Sequence, residues 1–203
     1  MVENTYFIFP WEDPDMNLKG TVFVTTKATV VEAFGEERWN KFMVRLAAKD
    51  KYFKDNIIMS ITLIPLEKVI VLFDELVDEC FNGDKNASYV MFGMVGAKFA
   101  LSEGGPYHSY LLTKDVKQFV EVVLPKIWST YYDGGAASAR LENNTVHVVV
   151  TGFPIKHTYF EKLLMGYFKQ ALKVFGKKSK ATMVRSLTGG DKDLYFKYEL
   201  RDA

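Results

Sequence analysis

Side chains suited to catalysis or metal binding are scarce and scattered in this sequence. There are three histidines, His108, His147 and His157, and one cysteine, Cys80. The histidines fall in a short helical piece, on a strand and in a loop before a helix, so no two stand at ligand spacing. A lone cysteine excludes an intramolecular disulfide framework and a multi-cysteine zinc or iron–sulfur site. Cys80 lies on the apolar stripe of its helix beside Asp78 and Glu79, a setting that raises a thiol's pKa instead of activating it. The carboxylate pairs Asp13/Asp15 and Asp191/Asp193 lack the distal glutamate of a calcium loop and suit turns. No G-x-S-x-G, H-E-x-x-H or G-x-x-x-x-G-K-[ST] string occurs, and Gly176-Lys177-Lys178-Ser179 lacks the upstream glycine of a phosphate loop. An enzyme built on His108 with Tyr107 or Glu103 beside Gly104-Gly105 has no recognised catalytic spacing. The sequence thus predicts no catalytic residues and no metal.

Aromatic residues are plentiful instead. Sixteen Phe, 11 Tyr and 3 Trp make up 15% of the 203 residues, which favours packing or the binding of an apolar ligand. Trp128, Tyr131 and Tyr132, at i, i+3 and i+4, put three rings together at the end of a long helix. A formal charge of +1 supplies no long-range field for nucleic acid or an anionic membrane. The cationic group Lys173, Lys177, Lys178, Lys180 and Arg185 reads as a solvated face at a helix C-terminus. The longest greasy stretch, Ile57–Leu66, is interrupted by Ser60, Thr62 and Pro65, far short of the ~20 residues of a membrane span. No secretory pattern opens the sequence, and cysteine usage fits a reducing compartment, so the expected address is cytoplasmic.

The elements that must position these residues follow from periodicity. Residues 1–17, broken by Pro10 and Pro14, read as an extension, and residues 18–203 as one domain. Lys19–Val24 reads as a first strand. Thr26–Ala48 turns helical in two pieces separated by Gly35, and the stripe Leu66, Val69, Ile70, Phe73, Leu76, Val77, Cys80 marks an amphipathic helix. Residues 87–100 are apolar nearly all round, with Gly93 and Gly96 permitting close approach of a neighbour. A short piece, Tyr107–Leu112, precedes a long helix over Lys114–Tyr132 bent near Pro125. The period then changes: Ala136–Leu141 and Val146–Val150 form a hairpin, Phe160–Phe175 a helix, and Ala181–Leu187 and Leu194–Leu200 a second hairpin. The order strand, about five helices, then ββαββ favours an α+β domain with helices on one side of an antiparallel sheet.

Several strings in this order resemble a known group. Lys19-Gly20-Thr21-Val22, Phe34-Gly35-Glu36-Glu37-Arg38-Trp39 and Trp128-x-x-Tyr131-Tyr132-Asp133-x-Gly135, with Gly152-Phe153-Pro154 and Gly189-Gly190-Asp191 further on, resemble an uncharacterised bacterial family. That family is similar to heme nitric-oxide-binding (H-NOX) domains and to vinyl-reductase-type small-molecule-binding domains, which share a fold with subunits of the vesicle-tethering transport complex. The resemblance covers Leu18 to about Glu199. It implies an H-NOX-like, vinyl-reductase-domain-like fold enclosing an apolar cavity between helices and sheet, and a homodimer. H-NOX proteins place a proximal histidine on the long helix before the hairpin and a Tyr-x-Ser-x-Arg signature on the strand leading into the next helix. Here Lys114–Tyr132 has no histidine, the strand ends Val148-Val149-Val150-Thr151-Gly152-Phe153, and Ala136-Ala137-Ser138-Ala139-Arg140 lies on the other strand without the tyrosine. The cysteines that flank the glycine turn in the vinyl-reductase pattern are missing as well. The resemblance therefore implies no heme and no metal. What it leaves is a sensory or ligand-binding module for a small hydrophobic molecule, with Phe92, Val95, Phe99, Tyr107, Tyr110, Phe119, Trp128 and Tyr131 as its expected lining. The alternative is a dimeric adaptor resembling the tethering subunits, with the interior filled by side chains.

Overall fold

The computed structural model describes residues 16–112 and 115–201. The extension read over residues 1–17 lies outside them except for Met16 and Asn17, as does the Asp13/Asp15 pair. Strand β1 (Asn17–Lys19) pairs antiparallel with β2 (Leu63–Pro65), a strand too short to leave a periodic signal. The first strand does not run on to Val24. At Gly20 the amide donates to the Thr62 carbonyl (2.7 Å), a Cβ would collide with the Met59 carbonyl, and helix α1 (Thr21–Phe34) begins. Thr and Val are drawn to strands, but burial of Phe23 and Val30, seven residues apart on one helical face, overrides that local preference.

Gly35, at φ +84°, separates α1 from α2 (Glu36–Lys49). Helix α2 buries Trp39, Phe42 and Leu46, with Trp39 edge-on to Phe23 at 5.5 Å. A single turn, α3 (Tyr52–Asp55), follows, and then α4 (Leu66–Cys80), whose buried stripe includes Leu66, Val69, Phe73 and Leu76. Ion pairs of Arg38 and Arg45 with Glu79, and of Lys49 with the buried Glu75, clamp α2 to α4. Cys80 is half-buried there, and burial raises its thiol pKa against the pull of Arg38.

Helix α5 (Lys85–Leu101), capped by the Asp84 carboxylate on the Ala87 amide (3.1 Å), crosses α8 (Thr158–Val174) with almost nothing between the backbones. A Cβ on Gly93 would overlap the Leu163 carbonyl and sit 2.8 Å from the Tyr167 nitrogen, while one on Gly166 would overlap the Val90 carbonyl. At Gly96 the nearest atom is Tyr167 Cδ2, at 3.9 Å. Beyond a 3-10 turn (His108–Leu112), the expected long helix is a continuous run of three segments: α6 (Val116–Gln118), a π segment (Phe119–Val123) and α7 (Leu124–Tyr131). The wider π turn ends two residues before Pro125, whose ring would crowd the carbonyl four residues back, within that turn, in a regular α-helix.

Strands β3 (Ala136–Glu142), β4 (Thr145–Thr151), β5 (Lys178–Arg185) and β6 (Leu194–Arg201) form an antiparallel sheet in the order β3-β4-β6-β5. Helix α8 is the crossover from β4 to β5, and β6 fills the gap between them. One face buries Val146, Val148 and Val150 with Leu194, Phe196 and Tyr198, and the Tyr198 hydroxyl donates to the Met165 carbonyl of α8 (3.2 Å). Glu161 of α8, itself buried, accepts from the Thr188 amide and from the Ser186 and Thr188 hydroxyls at 2.8–2.9 Å, tying the β5–β6 connection to the helix.

The two glycines of α5 should respond oppositely to alanine. In urea unfolding, Gly93→Ala is expected to lose about 1–3 kcal/mol or more by forcing the helices apart, whereas Gly96→Ala, which meets no close atom, should gain about 0.5–1 kcal/mol of helix propensity. Equal effects at both positions would contradict the close crossing.

Candidate functional site

A cavity of about 240 Å³ lies between α1, α4, α5, α7 and α8. Helix α1 contributes Thr21, Thr25, Thr26 and Thr29 with Val22, Val30 and Phe34; α4 contributes Phe73 and Leu76. The α5 wall carries Met91, Phe92, Val95 and Phe99, and the end of α7 carries Ile127, Trp128 and Tyr131, followed by Tyr132. Tyr159, Leu163, Tyr167 and Phe168 complete it from α8. Phe34, Val95 and Phe99 border the cavity and are also exposed to solvent, which puts its mouth between α1 and α5.

Of the residues expected to line a pocket, Phe92, Val95, Phe99, Trp128 and Tyr131 border this cavity. Tyr107 and Tyr110 do not. They stack on one another at 5.7 Å, and Tyr107 backs the ring of Tyr131 edge-on at 5.6 Å, one layer behind the wall. Phe119 is fully buried in the core and stacks on Phe175 at 4.5 Å without bordering the cavity. Sequence reasoning missed the α1 and α8 walls. The threonines at 21, 25 and 29, with Val22 and Val30 beside them, repeat every four residues and would have flagged a helical face had the segment not been read as a strand.

Trp128 does two things. Its indole N–H donates to the Gly134 carbonyl (3.0 Å), fixing the turn from α7 into β3, and its ring stacks on Tyr132 at 4.1 Å. Tyr132, extended at the helix end, also meets Phe153 edge-on at 5.7 Å. Burial pushes the phenols of Tyr131, Tyr132, Tyr159 and Tyr167 well above the ordinary tyrosine value, so all four stay protonated. The Tyr131 and Tyr167 rings meet edge to face at 5.8 Å, and a hydrogen-bonding interaction between their hydroxyls raises the Tyr167 phenol and lowers that of Tyr131 against the larger effect of burial.

The scattered chemistry-bearing residues stay apart. His108 Nδ1 lies 3.2 Å from the Leu101 carbonyl, His147 Nδ1 lies 2.6 Å from the Tyr195 hydroxyl, and His157 Nδ1 accepts from the Tyr159 amide as a helix cap (3.1 Å). Asp191 accepts the Ser186 amide (2.8 Å) and Asp193 pairs with Arg185, as turn residues do. Among the described residues, no group of three or more His, Cys, Asp or Glu is placed to hold a metal, and no helix is long and apolar enough to cross a membrane.

The helical half, the ββαββ sheet and the crossover α8 define an H-NOX-like fold. Solved structures with this architecture include an H-NOX protein from S. oneidensis in the Fe(II)NO ligation state, at TM-score 0.68 and 16% identity, covering 91% of this chain and 99% of that one. An Fe(II) unliganded H-NOX protein mutant from K. algicida superposes at TM-score 0.65 with 10% identity, covering 91% of this chain and 97% of that one. No family model and no curated protein matches the sequence. Heme does not fit the residues around this cavity. Its lining holds no histidine or cysteine to reach an iron and no arginine or lysine to meet propionates. Apart from buried phenols, the lining offers only the thioether of Met91 as a group of the kind that ligates heme iron.

Truncating Trp128 removes both a packed ring and a hydrogen bond. Trp128→Ala is expected to cost about 3–5 kcal/mol in chemical denaturation while enlarging the cavity. A loss below about 1 kcal/mol would contradict the double role described for this side chain.

Proposed function

We propose that residues 18–203 form one non-catalytic sensory domain that takes up a small hydrophobic molecule without heme, and whose occupancy biases association with a partner. The observation that carries this reading is the apolar cavity itself, open at one side and lined by no charged residue. A lining without carboxylate, histidine, cysteine or lysine to act as base or activated nucleophile is suited to holding a molecule, not to transforming it. Solved structures sharing the fold include H-NOX proteins in Fe(II) and Fe(II)NO ligation states, which supports an interior that receives a ligand, although the lining here has no histidine or cysteine to hold the metal group. The adaptor alternative calls for an interior filled by side chains, and the open cavity speaks against it. In this reading the protein works in the cytoplasm as a homodimer. The exposed side chains of Ile57, Met59, Ile61 and Leu63, gathered in one segment before α4, support self-association.

Titration with N-phenyl-1-naphthylamine should give saturable fluorescence enhancement at one site per chain, and native mass spectrometry of the same sample should show a dimer with retained probe. Hemin should produce no sharp, stoichiometric Soret band. Failure of the naphthylamine and other neutral aromatic probes to bind would overturn the ligand-binding reading, a stoichiometric Soret complex would overturn its heme-free part, and a monomer at every concentration would overturn the dimer.

A further inference from the structure

The cavity is long for its volume. Along α1 its lining runs from Thr21 to Phe34, about 20 Å of helix; along α5 it runs from Met91 to Phe99, about 12 Å, and along α8 from Tyr159 to Phe168, about 14 Å. Its two ends lie at opposite ends of α1. At one, Phe34 meets Phe81 edge-on at 5.8 Å, and Phe81 meets Phe92 of α5 at 5.3 Å. At the other, Leu18 bridges to Tyr132, whose ring stacks on Trp128. The end of α5 comes to this second group, because the Tyr107 amide donates to the Ala100 carbonyl (2.9 Å) while the Tyr107 ring meets Tyr131. Spread over about 12–14 Å, a volume of about 240 Å³ is a bore about 5 Å across, little wider than the roughly 3.5–4.0 Å at which carbon atoms touch.

The walls are also short of polar surface. The Thr21 hydroxyl donates to the Ser60 carbonyl (3.0 Å) and the Trp128 indole to Gly134, the hydroxyls of Tyr131 and Tyr167 engage each other, and the Tyr159 hydroxyl has no exposed surface. A polar group drawn inside would lose its water with little to replace it. We propose that the natural ligand is a single-chain amphiphile, a linear alkyl chain of about ten carbons that lies extended along α1 while its one polar end stays in water at the mouth between α1 and α5. This rests on the ligand-binding reading above and adds the shape and class of the molecule. A closed apolar cavity of about 150 Å³ takes benzene, six carbons, so about 240 Å³ holds about ten. Carbon–carbon bonds of about 1.52 Å at about 111° advance about 1.25 Å each, so ten carbons in line reach about 12 Å, the length of the α5 wall. A compact cage of ten carbons has the volume without the length and is wider than the bore.

Straight-chain carboxylates from hexanoate to tetradecanoate, titrated calorimetrically into the protein, test the length. Affinity is expected to rise about fourfold with each methylene up to about ten carbons beyond the carboxylate and then to level off, because further methylenes stay outside in water. Shape is tested at equal carbon number. Undecanoate and adamantane-1-carboxylate both carry ten carbons beyond the carboxylate, and the straight chain is expected to bind at least about tenfold better once their partition into octanol is divided out. Undecanoate and 1-decanol, which differ at the polar end, should agree within about fivefold if that end is in water. Narrowing the middle of the channel from the α1 wall, with Thr29→Phe, should bring the levelling-off to shorter chains while hexanoate binds as in the parent; Thr25→Phe, one turn away, serves if Thr29→Phe lowers the melting temperature. Affinity that levels off at six carbons or still rises at tetradecanoate, equal corrected affinity of chain and cage, or a loss in the variant that is the same at every length overturns this inference; it leaves the ligand-binding reading standing as long as N-phenyl-1-naphthylamine binds. A wider gap between undecanoate and 1-decanol overturns the placing of the polar end. If neither the carboxylates nor the naphthylamine binds, both readings fall together.

Discussion

The crossing of α5 and α8 is the constraint on which the rest of the architecture depends. Gly93 and Gly166 each lie against the backbone of the opposite helix, so there is no room for a side chain at the point of contact. Phe92 and Val95 on α5, and Leu163 and Tyr167 on α8, flank this contact and border the cavity beside it. The same approach ties the helical half to the sheet, because the opposite side of α8 is fastened to β6 through Tyr198 and to the β5–β6 connection through Glu161.

A second consequence concerns charge. Ionised side chains are used away from the cavity: Glu75 and Glu79 join α2 to α4, Asp74 holds Lys85 and Tyr89 at the entry to α5, and Arg185 pairs with Asp193 over the ring of Tyr195. What reaches the cavity is apolar surface with threonines from α1 and phenols from the end of α7 and from α8. In a low-dielectric space such groups discriminate by shape and by single hydrogen bonds, since neither can be compensated by a mobile charge. Heme binding draws on iron ligands such as histidine or thiolate and on cations for the propionates, and the lining carries no histidine, cysteine, arginine or lysine. Likeness of fold at 10–16% identity carries the arrangement of elements, whereas the chemistry of the interior is decided by which side chains face it.

The sequence by itself determined the elements whose signal is local. Helix α4 and helix α8 declare themselves by the 3.6-residue stripe, the β3–β4 hairpin by alternating valines around Asn143-Asn144, and α5 by an all-apolar run broken by glycine. The absence of recognised catalytic and metal-binding motifs was equally legible, because those depend on short spacings. The opening segment was not: Thr21–Val24 has the composition of a strand, and it becomes a helix through tertiary contacts, the burial of Phe23 and Val30 and the closure of Gly20 onto the Met59–Thr62 loop forty residues away. Likewise, β2 is three residues long and exists because β1 lies beside it. For the site, spacing along α5 and α7 singled out five residues that border the cavity, but it could not separate Trp128 and Tyr131 from Tyr107, Tyr110 and Phe119. Periodicity reports that a side chain is apolar and which helical face it occupies, while the direction in which that face looks depends on contacts between distant segments. Only the tertiary structure decided that the α1 threonines meet the α5 aromatics across an open space, and that Tyr159 and Tyr167 of α8 close it from the far side, because which faces meet is a property of the assembled chain.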